Sequence, residues 1–305
     1  MRSSPAPAVS PRSLEAPAFA ERLADYKELL KPGITAFVVV MAASGYVLAA
    51  TGPIDWVVLL GLMAGTALTG GGAGALNHIL ERKHDAQMAR TATRPIPSGR
   101  LGVASAAAYA AACVLTGAVA LWVTTNVLTT ALALATVGLY VAVYTPLKRV
   151  TVHNTLIGAV PGALPALGGA AAATGALDAT GWSLFAILYL WQLPHFYALA
   201  WMFRDDYRRA GFRMLPDGEQ GERGMAALML GATLLLLVVG VLPAAVGNAG
   251  PLFMGGMALL GTAFTLPAFS FFTEPSDDRA RRLLVASIAY VPAFFVLVVV
   301  DFLLR

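Results

Sequence analysis

The amino-acid sequence predicts an all-α polytopic membrane protein, a bundle of nine transmembrane helices with its N-terminus in the cytoplasm. Hydrophobic residues occupy 58% of the 305 positions and charged residues only 12%, whereas soluble domains carry about 25% charged residues. Nine apolar segments each approach the roughly 20 residues that one bilayer crossing requires. Twenty of the 21 Lys and Arg residues fall on one side of this pattern.

The predicted spans follow one another with short connections on the outer side. They cover residues 33–51, 56–76, 101–123, 127–144, 154–174, 181–202, 225–246, 251–272 and 283–303. Prolines inside several of these spans are tolerated in helical bundles and often mark broken helices that line a cavity. Residues 1–24 begin rich in Pro, Ala and Ser without an apolar run, which predicts a disordered cytoplasmic tail and no cleaved signal peptide. Residues 25–305 are predicted to form one membrane domain.

The distribution of charge orients this bundle. Basic residues precede the first span or follow spans two, four, six and eight, and the connections near 51–55, 124–126, 175–180 and 247–250 have none. This is the positive-inside pattern of a cell-membrane protein whose polar side chains gather at the cytoplasmic face. The sequence pI of 9.3 therefore reflects topology and argues against nucleic-acid binding. The single cysteine, Cys113, excludes an intramolecular disulfide.

The first candidate site follows span two, in residues 73–97. Asn77, Glu81 and Asp85 are spaced by four, so on a helix they form one stripe that drifts by about 40° per step. One amide and two carboxylates suit Mg²⁺, which completes its shell with water and phosphate oxygens. Arg90 and Arg94 follow, and Arg supplies bidentate binding of phosphate. The alternative is a solvated helix end with ordinary interfacial charges.

Two further polar segments lie on the same side of the membrane. Asp205 and Asp206 end span six and are followed at once by basic residues, and Asp206 is a further candidate metal ligand. Lys148 and Arg149 are the charges between spans four and five and could bind a terminal phosphate. Each segment could instead serve only to set the topology. Taken together, the three segments predict one anion and metal site at the cytoplasmic face.

Four strings carry a resemblance to a known family: DYKELLKPGIT, NHILERKHDAQMARTATRPIPSGR, YTPLKRVTVHNTLIGAVPGALPALGG and WQLPHFYALAWMFRDDYRRAGFRMLP. They resemble the protoheme IX farnesyltransferases, or heme O synthases, within the intramembrane prenyltransferase superfamily of the ubiquinone-biosynthesis type. The resemblance covers about residues 25–305. It implies nine membrane helices and two aspartate-rich motifs around a central cavity that binds Mg²⁺ and farnesyl diphosphate, with heme B as the acceptor.

The resemblance also implies roles for individual residues. Asn77, Glu81 and Asp85 match the first Asn/Asp-rich motif of the family, and Glu81 stands where many members have Asp. The basic residues that match diphosphate-binding positions are Arg90, Arg94, Lys148 and Arg149. The second motif departs from the superfamily pattern, which often has two Asp spaced by four, because Met202 occupies the earlier position and Asp206 the later one.

The implied reaction is ionisation of the allylic diphosphate followed by alkylation of a heme vinyl group. Aromatic rings can stabilise the allylic cation, and the candidates are Tyr140, Tyr144, Trp191, Phe196 and Tyr197, although packing is the commoner role of such residues. His195 is the candidate heme contact, because histidine often ligates heme iron. The alternative for His195 is a hydrogen bond to a neighbouring carbonyl within the bundle.

Three other functions compete with this interpretation. A quinone- or chlorin-type prenyltransferase would share the metal site and differ in its acceptor pocket. A secondary transporter also has broken helices, but its polar groups lie near the midplane, whereas here they lie at one face. A non-catalytic heme carrier would not need the diphosphate-type site. The expected partners are heme B, farnesyl diphosphate and the lipid bilayer, with heme A synthase or terminal oxidase assembly factors as possible protein partners.

Overall fold

The computed structural model of the protein describes residues 19–216 and 218–305, which are helical and contain no β-strand. The helices are α1 (Phe19–Leu29), α2 (Pro32–Ala49), α3 (Trp56–Asp85), α4 (Val103–Thr124), α5 (Val127–Gly138), α6 (Thr145–Leu147), α7 (Asn154–Thr174), α8 (Ala179–Met202), α9 (Arg204–Arg209), α10 (Gly218–Val239), α11 (Leu242–Ala245), α12 (Pro251–Thr273) and α13 (Asp277–Leu304). A π-helical turn, Leu139–Tyr144, joins α5 to α6.

Nine helical segments in the described part of the chain are long and apolar enough to cross a bilayer, which confirms the predicted spans. They are α2, α3, α4, α5 with its continuation to Leu147, α7, α8, α10 with its continuation to Ala245, α12 and α13. The largest differences are at polar ends. Helix α3 continues to Asp85, beyond the predicted end at residue 76, and α13 begins at Asp277 instead of residue 283. Hydropathy marks the apolar part of a span, whereas Glu, Lys and Arg continue a helix readily.

The first helix begins within the segment that the sequence predicted to be a disordered tail. Residues 1–18 lie outside the described part, but residues 19–24 form the first turns of α1, so the prediction of disorder is wrong for them. Asp25 and Leu29 of α1 are buried against the bundle, and Arg100 binds Asp25 at 2.8 Å. This contact holds α1 against the loop that precedes α4.

Small residues bring the central helices into close contact. A side chain at Gly45 of α2 would overlap the carbonyl oxygen of Ala166 in α7. A Cβ at Gly117 of α4 would lie 2.8 Å from the carbonyl oxygen of Gly65 in α3. Such backbone contact stabilises helices in lipid, where the hydrophobic effect between helices is absent. Helices α7 and α8 are the most buried spans and the α5 segment is the least buried, so the core lies between α2, α7 and α8.

Candidate active site

The stripe predicted on α3 is buried inside the bundle. Asn77 and Asp85 have no exposed surface and Glu81 is 6% exposed. All three lie on the polar extension of α3 that continues beyond the hydrophobic span. Buried carboxylates are costly unless they are paired, so this is not the solvated helix end considered as the alternative.

Each residue of the stripe contacts a cation from a different segment. Lys148 Nζ lies 2.8 Å from Glu81 Oε1, and Arg94 Nη1 lies 2.8 Å from Asp85 Oδ2. Lys31 Nζ donates to Asn77 Oδ1. The structure thus places the predicted Arg94 and Lys148 beside the predicted stripe, and three positive groups surround one row of oxygen ligands.

Lys31 is a residue of this site that the sequence analysis assigned only to topology. It precedes α2 with φ 50° and ψ 62°, a left-handed conformation that costs about 1–2 kcal/mol for a residue other than glycine. Burial lowers the pKa of Lys31 to about 7, although the nearby Glu81 carboxylate acts in the opposite direction. The Lys-Pro-Gly sequence at the start of the first span was the available signal.

The π-helical turn positions the second cation, Lys148. In this turn the Thr145 N–H donates a hydrogen bond to the carbonyl oxygen of Tyr140, five residues earlier. Hydrogen bonds of this spacing define π-helical turns, which often occur at functional sites. The Lys148 ammonium lies 4.7 Å from the centre of the Tyr144 ring, and the Lys31 ammonium lies 6.0 Å from that of Tyr140. Burial opposes the charge of Lys148, but Tyr144 and the Glu81 carboxylate raise its pKa well above the usual value.

Thr145 connects this turn to the stripe. Asn77 Nδ2 donates to the Thr145 hydroxyl at 2.9 Å, and that hydroxyl donates to the Tyr140 carbonyl at 2.9 Å. The Asn77 side-chain oxygen therefore points toward Lys31, because its amide nitrogen is engaged. Thr145 is a second site residue that the sequence analysis missed, since nothing in the local pattern indicates a contact with a helix 68 residues away.

Asp85 has one oxygen that fits a metal ion. Arg94 binds Oδ2, whereas Oδ1 is buried and has no hydrogen-bond partner among the described residues. Within residues 19–216 and 218–305 no three His, Cys, Asp or Glu side chains come close enough to hold a metal on their own. Neighbouring residues of the stripe, Asp85 with Glu81 or Glu81 with Asn77, would therefore supply a partial shell, which is how Mg²⁺ is usually held when phosphate oxygens and water complete it.

The remaining basic residues of the first and third segments, Arg90 and Arg149, lie at the same end of the bundle as the loops after spans two, four and six. The Arg90 guanidinium lies 5.1 Å from the centre of the Phe203 ring. Arg149 Nη1 lies 3.4 Å from His84 Nε2, and His84 Nδ1 lies 2.9 Å from the Ala210 carbonyl oxygen. These contacts bring together the loops after spans two, four and six, as the sequence predicted.

The second acidic motif is organised differently from the first. Asp206 pairs with Arg209 and Asp205 pairs with Arg208 within helix α9, and the Asp205 side chain is 70% exposed. In the part of the chain described, neither carboxylate forms an ion pair with Arg94 or Lys148, the cations that bind the stripe. Direct metal binding by Asp206 and a catalytic role for Asp205 stay predictions.

The predicted aromatic residues form two groups. Tyr140 and Tyr144 lie beside Lys31 and Lys148, with ring centres 5.6 Å apart. In the second group, Trp191 and Phe196 contact His195. Their ring centres lie 5.3 Å and 5.4 Å from the centre of the imidazole ring. Tyr197 is fully buried in the core of the bundle, and its hydroxyl has no partner.

An apolar cavity begins one helical turn below Asn77 and Tyr140. Its lining includes Ala73, Gly70 and Thr66 of α3 and Val137 of α5, and Leu62 lies at the end remote from the stripe. From Leu62 to Ala73, α3 rises about 16 Å. This cavity of about 40 Å³, called the apolar channel below, lies between the charged stripe and the middle of the membrane.

This arrangement, a buried amide and carboxylate row facing cations above an apolar channel, is consistent with a prenyl diphosphate enzyme. The model of the UbiA prenyltransferase family matches residues 37–298. The chain belongs to the UbiA prenyltransferase family. This confirms the resemblance identified from the four strings and, with the spans described above, establishes an integral membrane enzyme of the prenyltransferase class.

Individual relatives in this family are similar over almost their whole length. The protoheme IX farnesyltransferase of Salinibacter ruber is 46% identical over 280 residues, covering 92% of this chain and 99% of that protein. The protoheme IX farnesyltransferase of Solibacter usitatus is 39% identical, covering 91% and 98%. A structure of a UbiA homologue from Archaeoglobus fulgidus bound to GPP and Mg²⁺ has a TM-score of 0.68 at 14% identity, covering 90% of this chain and 99% of that one. This structural likeness shows a shared UbiA fold.

Proposed function

We propose that this UbiA family protein transfers the farnesyl group of farnesyl diphosphate to a vinyl group of heme B. The observation that carries the proposal is the buried row Asn77, Glu81 and Asp85 facing Lys31, Arg94 and Lys148. The names of the two relatives, both protoheme IX farnesyltransferases, support heme as the acceptor. Family membership also favours an enzyme over the secondary transporter.

The cations would bind the diphosphate of the donor. Arg94 and Lys148 hold the stripe carboxylates in the free protein and can exchange this contact for phosphate oxygens, with Arg90 and Arg149 at the entrance. Mg²⁺ would be held by neighbouring residues of the stripe, Asp85 Oδ1 with Glu81 or Glu81 with Asn77, and would add positive charge beside the leaving diphosphate. Cations already positioned where negative charge develops are a main source of catalysis.

The proposed reaction begins when the C1–oxygen bond breaks and its electron pair leaves with the diphosphate. The allylic cation at C1 forms a carbon–carbon bond with the terminal carbon of a heme vinyl group. Water adds to the resulting benzylic-type cation and loses a proton, which gives the hydroxyethylfarnesyl substituent of heme O. Tyr140 and Tyr144 lie at the top of the apolar channel, where their rings would stabilise C1.

The apolar channel would widen from its volume of about 40 Å³ to hold the farnesyl chain, and Gly70 tests this placement. A Cβ at Gly70 would meet only Val38, at 3.9 Å, so a leucine side chain there would enter the channel without displacing backbone. We expect Gly70→Leu to raise the KM for farnesyl diphosphate at least tenfold while the KM for geranyl diphosphate changes little. The measurement is steady-state kinetics with both donors.

Gly231→Leu is the matched control for that experiment. Gly231 is an exposed helix glycine of α10, and a Cβ there meets nothing within 4 Å. It should leave both KM values unchanged. An equal rise for both donors in Gly70→Leu would contradict the placement of the farnesyl chain.

Lys31 should make donor binding depend on pH. With a pKa of about 7 in the free protein, Lys31 is charged below pH 7 and largely neutral above it. A bound diphosphate favours the ammonium form, so the pKa rises in the complex and binding takes up a proton. We expect the Kd for a non-reactive farnesyl diphosphate analogue to increase as the pH rises above 7, with Lys31→Arg, which stays charged, removing much of this increase. Calorimetry at several pH values measures this Kd for the wild type and for Lys31→Arg. If the Kd increased equally with pH in the two proteins, this role of Lys31 would be refuted.

His195 is the proposed contact to the heme iron, within a group of aromatic side chains on α8. The site would face the cytoplasm of a cell-membrane protein, because the basic loops lie on its side of the bundle. Heme A synthase or terminal oxidase assembly factors would then receive the product. Asp205 and Asp206 would act at the cytoplasmic entrance.

A competition between acceptors tests the proposed function. Purified protein in lipid nanodiscs receives labelled farnesyl diphosphate and Mg²⁺ with heme B, a hydroxybenzoate and a chlorophyllide together. We expect the label to enter heme. Transfer to the phenol or the chlorin instead would retain the diphosphate site and assign a different prenyltransferase activity.

A further inference from the structure

We infer that Ser287 of α13 is a positioning residue that fixes the tautomer of His195 and presents its Nε2 atom to the iron of the heme substrate. This inference rests on the proposed function and goes beyond it. It assigns a role to a residue on the last membrane helix, remote in sequence from every motif of the diphosphate site.

The hydrogen bonds of Ser287 determine which nitrogen of His195 carries the proton. Ser287 Oγ donates its single proton to the Leu284 carbonyl oxygen at 2.6 Å. With that proton engaged, the same oxygen, 2.8 Å from His195 Nδ1, accepts from the ring. This pairing places the proton of the neutral imidazole on Nδ1 and the free lone pair on Nε2.

The surrounding side chains fix the plane of the imidazole. Trp191 stacks on His195 at an interplanar angle of 24°, and Phe196 contacts the ring edge-on. Trp191 Nε1 also donates to the Ser287 carbonyl oxygen at 2.9 Å, so the same residue holds both rings. No hydrogen bond to Nε2 occurs among the described residues, and the His195 side chain is only partly buried.

A ligating histidine usually donates its second ring N–H to a fixed acceptor, which sets its orientation. That is the arrangement of His195 and Ser287. Within the described ranges no group of three His, Cys, Asp or Glu side chains could hold a free metal ion, so His195 alone would not retain one. A heme brings four nitrogen ligands of its own and needs a single axial imidazole, and its porphyrin suits an apolar, aromatic setting.

Ser287, the partner of His195, and Asn77, at one end of the stripe, both lie inside the bundle, away from the ends of their helices. Trp201 Nε1 donates to Asp277 Oδ1 at the cytoplasmic ends of α8 and α13. From there Ser287 lies ten residues farther into the membrane, about 15 Å along the helix. On α3, Asn77 lies eight residues from Asp85, about 12 Å by the same rise. Both residues thus lie about two to three helical turns from those helix ends.

The test is resonance Raman spectroscopy of ferrous heme B bound to the purified protein in nanodiscs, with heme titrations beside it. The wild type should show an iron–histidine stretching band that His195→Ala abolishes. Ser287→Ala should lower the frequency of this band and weaken heme binding by about 10–100-fold, the usual effect of removing such a partner. Ser287→Thr, which keeps the hydroxyl, should restore both. The KM for heme should rise in Ser287→Ala, whereas the KM for farnesyl diphosphate should not.

Ser183→Ala is the matched control. Ser183 is a buried helix serine of α8 whose hydroxyl donates to the Ala179 carbonyl oxygen at 2.6 Å and contacts no histidine. It should leave the band and heme affinity unchanged. Ser287→Cys, which is close in volume and a weak acceptor, serves if Ser287→Ala does not fold, and it should shift the band in the same direction.

The outcomes separate this inference from the proposed function. If the protein farnesylates heme but the iron–histidine band persists in His195→Ala, the inference alone is overturned. The same holds if the band of the Ser287 variants is identical to that of the wild type. Failure of the wild type to bind or farnesylate heme, with another acceptor used instead, overturns both.

Discussion

Asp85→Asn is expected to lower kcat/KM for farnesyl diphosphate by about 10²–10³-fold, the range found when one preorganised charge-stabilising group is removed. The substitution preserves shape and an oxygen that can accept from Arg94, but it removes the negative charge of the buried carboxylate. If Asp85 Oδ1 holds Mg²⁺, the concentration of Mg²⁺ needed for half-maximal activity should also rise. Steady-state kinetics over a Mg²⁺ titration measures both quantities.

Asp25→Asn provides the control for this experiment. Asp25 is also a buried carboxylate paired with an arginine, at 2.8 Å from Arg100, but it lies on α1 outside the stripe. We expect its activity and Mg²⁺ dependence to be close to wild type. If Asp85→Asn behaved like Asp25→Asn, Asp85 would have only a structural role.

Lys148→Gln is expected to reduce both stability and activity. Removing one partner of a buried pair leaves an uncompensated charge, here Glu81, and typically costs about 3–5 kcal/mol. The same change removes a cation from the diphosphate site, so kcat should fall by about 100-fold or more. Thermal unfolding and steady-state kinetics measure the two effects separately.

The double variant Glu81→Gln/Lys148→Gln distinguishes the structural role of the pair from its catalytic role. Removing both charges should recover most of the stability, because neither partner is left unpaired, but it should not recover activity. Lys83 is an exposed lysine on the same helix as Glu81, and Lys83→Gln should change neither stability nor activity. Recovery of activity in the double variant would mean that this ion pair serves stability alone.

The sequence predicted the membrane spans and the acidic stripe of the site, because both depend on local pattern. Hydropathy located the apolar helices, and the spacing of Asn77, Glu81 and Asp85 placed them on one face of α3. Of their cationic partners, Arg94 and Lys148 were named and Lys31 was not. The sequence does not show that Lys148 pairs with Glu81, which is 67 residues away.

The missed residues share one property, a contact that depends on how distant helices pack. Lys31 reaches Asn77 from the start of the first span, in a left-handed conformation that no propensity predicts. Thr145 reaches Asn77 only because a π-helical turn shifts the end of α5. In the sequence Ser287 is an ordinary helix serine, and its contact with His195 depends on the packing of α13 against α8.

The central claim is that the stripe and its cations serve farnesyl transfer to heme, and the mass of the heme product tests it most directly. Purified protein receives heme B, farnesyl diphosphate and Mg²⁺, and the extracted heme is analysed by mass spectrometry. The account predicts heme that has gained one farnesyl group and one hydroxyl, with release of one diphosphate, in wild type and Asp25→Asn but far less in Asp85→Asn. Unchanged heme accompanied by prenylation of a phenol or chlorin, or equal product in Asp85→Asn, would contradict it.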